Sequence, residues 1–471
     1  MSELKKQTAP AWRNVLFVIL SACMTGFLWR ARGSNGWGSF KGMAMVALGL
    51  TLCVLAFFPY KKKMNAGIFP FVILLTALTN AGYGTFNSQI TGILQSNPPK
   101  GEELLTVNIN PASAVATMLL LGFGWAPFFC AFIGYYFSDK KRKLLDALVI
   151  IAIFYAADYL CRATVSHLLV KVISPVSVDS FAQALVDSGR DLTPYKAYMS
   201  HFSDISFGKK IQFGRNYFQL IECISQAMGT LATVIYTRFF IKDKRGAGIT
   251  LLCDISLGVA ITAADLILFV SGGGFRGSIT PPEWLTGWSD WEFFTGFLFG
   301  LFTALIIVVA SKGEITCEEA QTPRRLIPDK KPVRFIWNYG LFSCFTAITA
   351  LVVPFAIRLT GENDFIFGAK GLEEEALIPF IAPLGALALI YPALKFTKKE
   401  RADGEYIFAW AKTAFPVYFA LVFAIYMLCG DSPLLHGDVN DYDILTYTAA
   451  AIFTLCTAAV YVSDKKRSKS A

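Results

Sequence analysis

The chain has 471 residues, of which 54% are hydrophobic, 14% aromatic and only 16% charged, with a mean hydropathy of +0.49. Soluble domains run at about 45–50% apolar and about 25% charged, so a water-soluble globule is excluded. The net charge of +9 would suggest nucleic acid for a soluble protein, but these cations lie between apolar blocks, where membrane topology accounts for them and no nucleic-acid partner is implied.

The blocks are about 18–25 residues long, enough to cross ~30 Å of hydrocarbon. They predict an all-α polytopic membrane protein, a bundle of about twelve transmembrane helices. The spans fall near 14–29, 43–59, 66–84, 114–137, 145–170, 217–238, 248–271, 292–311, 335–358, 376–395, 409–429 and 444–463. The first ends at Trp29-Arg30 without a small-residue cleavage site, and so reads as a retained helix rather than a signal peptide.

Alternate connections carry the cations: KKK at 61–63, DKKRK at 139–143, KDKR at 242–245, a basic loop at 312–334 and KFTKKER at 395–401. Counted over the predicted sides, 29 Lys and Arg fall on the face that includes both termini and 13 on the other, with Arg162 inside a span. Lys and Arg in excess mark the cytoplasmic face, so both termini are expected in the cytoplasm of a cell-membrane protein. Two six-helix halves are expected, 1–241 with a long outer segment at 172–216, and 248–471.

The first outer connection, LWRARGSNGWGSFKGM at 28–43, breaks the charge rule by holding Arg30, Arg32 and Lys41. Glycines there let the backbone turn tightly or approach a ligand. Two readings stand: an anchoring turn with Trp29 and Trp37 at the interface, or an anion site in which arginine forks and backbone N–H groups bind phosphate or carboxylate. A glycine-rich GYGTFNSQ follows at 82–89, and GFGWAP at 122–127 interrupts the fourth span. Segment 172–216 carries Lys209, Lys210 and Arg215 into the sixth span, and the connection after the seventh holds Arg276 among glycines, prolines and three tryptophans.

Ionisable residues inside spans are costly and are functional candidates. Asp158 and Arg162 stand at i,i+4 in the fifth span, a spacing that pairs them on one face. Glu222 and Gln226 share a face of the sixth. Asp254 and Asp265 in the seventh are eleven residues apart, about three turns, and share another. The ten cysteines form no CxxC or Cys/His pattern and behave as small hydrophobes. No nucleotide-binding loop, zinc-protease motif or nucleophile elbow is present, so no cofactor or metal is implied.

Three functions fit. The first is a transporter or flippase for an anionic small molecule or phosphate-linked lipid. Its substrate would meet Arg30, Arg32, Arg215, Arg276 and Trp37, and its polar core would be Asp158, Arg162, Glu222 and Asp265, with Asp265 or Asp158 coupling to protons or sodium. The second is a membrane-embedded transferase acting on a phosphate-linked lipid at the outer face. The third is a non-catalytic membrane scaffold or assembly factor. In each the partners are the bilayer and, for the first two, an anionic or lipid-linked substrate.

Overall fold

The computed structural model describes residues 10–34, 40–58, 93–95, 106–108, 111–138, 140, 144–173, 212–271 and 288–312, with Ala420, Thr448, Ala451, Ile452 and Leu455. Within them run α1 (Ala11–Ser34), α2 (Phe40–Phe57), α3 (Pro111–Trp125), α4 (Pro127–Tyr136), α5 (Leu144–Ala163), α6 (Val165–Ile173), α7 (Gln212–Phe239), α8 (Lys244–Ser271) and α9 (Trp288–Ser311). The third, ninth and tenth expected spans lie outside the described residues, as does nearly all of the eleventh and twelfth.

Among the described residues, three helices are long and apolar enough to cross a membrane: Ala11–Arg30, Lys244–Phe269 and Asp290–Ser311. The bent pair Ala114–Trp125 and Pro127–Tyr136 makes a fourth if taken as one span. The chain is therefore an integral membrane protein in contact with lipid. Leu145, Leu160, Val172 and Val309 turn outward and are largely exposed, as expected of helices solvated by hydrocarbon. Among the described residues the architecture is helical apart from one short ribbon. β1 (Ile93–Gln95) pairs antiparallel with β2 (Thr106–Asn108), Leu94 opposite Val107, an element the apolar-block reading did not anticipate.

Two expected spans are broken. At the fourth, Pro127 opens α4 and Ala126 leaves helical geometry (φ −134°, ψ 43°), so α3 and α4 meet at 59°. Proline lacks the N–H that would continue the ladder and crowds the preceding turn. At the fifth, the break comes at Thr164, whose hydroxyl donates back to the Leu160 carbonyl at 2.6 Å, a local competitor for the helix's own bonding.

Apolar side chains gain little by leaving lipid for one another, so membrane helices associate through close backbone approach and polar contacts. Gly296 and Gly300 of α9 lie against the Thr25 and Ser21 carbonyls of α1, with no room for a side chain. Among the described helices, α1 and α9 form the most extensive pair. On the other side, a Cβ at Gly122 of α3 would come within 2.5 Å of the Gly258 Cα of α8. α8 thus lies between α9 and the α3–α4 pair, α7 packs on α3, α5 and α8, and α2 packs on α1. Ile452 packs against Cys23 and Phe293 of the α1–α9 pair.

α7 and α8 form a hairpin through a tight turn at Phe240–Asp243, with Lys242 left-handed (φ 58°). Asp243 caps α8, accepting from the Gly246 N–H at 2.8 Å and from the Ser138 hydroxyl beyond α4 at 2.6 Å. At the same end Tyr136 donates to the Phe58 carbonyl at 2.6 Å, and Arg245 donates to the Ala310 carbonyl near the end of α9. A side-chain oxygen at a helix start and a cation at a helix end each satisfy groups the helix cannot. This is the Asp243 end of the bundle; the opposite is the Arg30 end.

Candidate functional site

α1 runs through Arg30 to Ser34. Arg30 is therefore not in the outer connection where the sequence placed it, but in a helix, at 2% exposure. Hydropathy falls where charges begin, yet the backbone hydrogen bonds of α1 continue for another turn. Arg32 belongs to the same turn, and Arg215 to the first turn of α7; their side chains, and all of Trp37 and Arg276, lie outside the described residues.

Helix register brings Arg30 level with acids on two neighbours. The Gly296 approach to Thr25 and the Trp29 Cβ fixes α1 against α9. Ser256 and Thr303 hydroxyls, 3.4 Å apart, fix α8 against α9. In these antiparallel pairs Arg30 of α1 and Asp265 of α8 fall beside the first turns of α9, which hold Asp290. Asp265 and Asp290 are fully buried. Sequence reasoning missed Asp290 by starting the span at 292; the signal was an acid one turn ahead of a long apolar run.

Beneath this level lies an aromatic layer. Trp29 lies 5.7 Å from Trp125 and 6.3 Å from Phe299, and Phe299 is 6.1 Å from Phe129. The rings come from α1, α3, α4 and α9, and Trp125 and Phe129 flank the α3–α4 break.

A second polar group joins α5 and α7. Arg162 Nη2 is 3.5 Å from Asp158 Oδ2 and 3.5 Å from Glu222 Oε1. The i,i+4 pairing is as the sequence spacing predicts; the bridge to Glu222 spans 60 residues, and nothing local signals it. This triad is partly exposed, Arg162 at 34%. It too lies toward the Arg30 end, so every described member of the predicted polar set falls in that half of the bundle.

Asp254, one face with Asp265, is fully buried nearer the middle of α8. The described cysteines are unbridged, and all but half-buried Cys161 are buried. Among the described residues no group of three or more His, Cys, Asp or Glu side chains is arranged to hold a metal ion. Comparison with protein-family models, curated proteins and solved structures finds no match.

Proposed function

We propose that this chain is a secondary transporter or flippase for an anionic small molecule or a phosphate-linked lipid. It crosses the cell membrane about twelve times, with both termini in the cytoplasm and the Arg30 end outward. The observation that carries the reading is the burial of Arg30 inside an apolar bundle, level with Asp265 and Asp290. A guanidinium is costly among membrane helices and marks a pathway or binding site by default. Its planar fork suits carboxylate and phosphate. Arg32, Arg215, Arg276 and Trp37 complete the outer substrate path in this proposal. Asp265 or Asp158 couples transport to protons or sodium, with Arg162 and Glu222 in the polar core.

The test uses purified protein in detergent with inorganic phosphate as the anion probe. Phosphate should raise the unfolding temperature of the parent, and Arg30→Lys should weaken its apparent affinity at least tenfold, because a lysine keeps the charge but loses the bidentate geometry. Equal phosphate response in parent and Arg30→Lys would reduce Arg30 to a packing charge.

A further inference from the structure

The α3–α4 break is bordered by buried oxygens that the anion reading does not use. Pro127 has no N–H, so the carbonyl of Phe123, four residues before it, loses its helical donor. Asp254 approaches from α8. Its carboxyl lies against the thiol of Cys130 in the first turn of α4. Beyond that thiol, neither of its oxygens has a hydrogen-bond partner among the described residues. Gln226 approaches from α7, beside Gly124, where an added Cβ would come within 2.8 Å of the Gln226 Cβ. Its Oε1 is also buried without a hydrogen-bond partner among the described residues.

The two residues sit at similar heights. Gln226 lies about as far before the α7–α8 turn as Asp254 lies after it, a mismatch of roughly 4–5 Å at 1.5 Å per residue. Asp254 is ten residues into α8, about 15 Å along a helix that crosses ~30 Å of hydrocarbon. An oxygen-lined helix break at that depth is the arrangement in which unwound carbonyls and a carboxylate hold a cation.

We infer that the α3–α4 break, Asp254 and Gln226 form an intramembrane binding site for one sodium ion. The carboxylate supplies the charge, and the Gln226 Oε1 and the Phe123 carbonyl supply neutral oxygens. A single carboxylate balances a monovalent ion, whereas calcium draws on six to eight oxygens, often from several carboxylates. A thiol is a weak donor, so Cys130 satisfies Asp254 only in part, and a buried carboxylate among apolar helices carries a large desolvation cost that a bound cation offsets. Asp254 lies eleven residues from Asp265 along α8, about 16 Å at 1.5 Å per residue, so ion and anion occupy different depths.

The experiment reads unfolding temperature of the intact, detergent-purified protein while sodium replaces N-methylglucamine at constant ionic strength and pH. A ligand that binds only the folded state raises that temperature in proportion to the logarithm of its concentration above Kd. The parent should gain several degrees, rising with the logarithm of sodium concentration once Kd is passed. Asp254→Asn should lose the gain, and Gln226→Leu should need several-fold more sodium for the same gain. Should Asp254→Asn fail to assemble, Gln226→Leu and the parent titration still decide the matter. A parent indifferent to sodium, a response to pH alone, or an Asp254→Asn response equal to the parent's would each overturn the site. No anion or transport measurement enters, so failure here leaves the Arg30 reading standing, and the reverse holds.

Discussion

Arg162 faces two carboxylates at 3.5 Å, Asp158 on its own helix and Glu222 on α7. Removing the guanidinium leaves two acids facing each other; removing Glu222 leaves the i,i+4 pair intact. Breaking a buried pair costs about 3–5 kcal/mol, but Arg162 is a third exposed, and exposed pairs contribute about 1 kcal/mol or less. Arg162→Leu should therefore destabilise by about 1–3 kcal/mol, and Glu222→Gln by less. Thermal unfolding in one detergent compares the two; equal losses would mean that Glu222, not Arg162, organises the group. The local half of this triad is legible because helical spacing fixes which neighbours meet. The distant half is not, because nothing in a sequence states which helices touch. The helical placement of Arg30 is not legible for a related reason: a charge after an apolar block resembles a membrane boundary unless its helix neighbours are known.

Helix existence follows from apolar length, since unpaired backbone groups are not tolerated in hydrocarbon. All seven expected spans that fall on described residues coincide with helices, and GFGWAP marked the α3–α4 break through proline's missing donor. The Thr164 break carried no comparable signal, because threonine in a membrane helix is common. Helix pairing rests instead on individual glycines. Gly296 and Gly300 are four residues apart, a small-xxx-small spacing that permits close approach, but composition alone does not tell such a glycine from a neutral one. Space does. A Cβ at Gly296 meets the Thr25 carbonyl and comes within 2.5 Å of the Trp29 Cβ, whereas nothing lies within 4 Å of one at Gly248 in α8. Gly296→Ala should cost about 1–3 kcal/mol through overpacking against backbone, and Gly248→Ala should be neutral or stabilise by about 0.5–1 kcal/mol. Unfolding temperatures of the two variants check the contrast, and a tolerated Gly296→Ala would show that α1 and α9 can separate without loss.

At the scale of the whole molecule, the proposal depends on which end faces out. The α7–α8 turn, with exposed Lys242 and capped by Asp243, lies at the opposite end from Arg30, Asp265 and Asp290. In the proposed topology the turn is cytoplasmic, on the strength of the 29-to-13 charge asymmetry, because lysine and arginine are retained on that side during insertion. Single cysteines in a cysteine-free background test this in intact cells with an impermeant thiol reagent. Five of the six described thiols are buried, so their replacement by alanine removes slow background labelling at modest cost in packing. Ser39→Cys and Ser278→Cys should react from outside. Lys62→Cys, Lys242→Cys and Lys330→Cys should react only after permeabilisation. Lys242 is the decisive position, because its turn is tied by Asp243 to Ser138 and so fixes one end of the described bundle. Labelling of Lys242→Cys from outside would put Arg30 and Asp265 at the cytoplasmic end, and an outward anion site built on them would have to be abandoned.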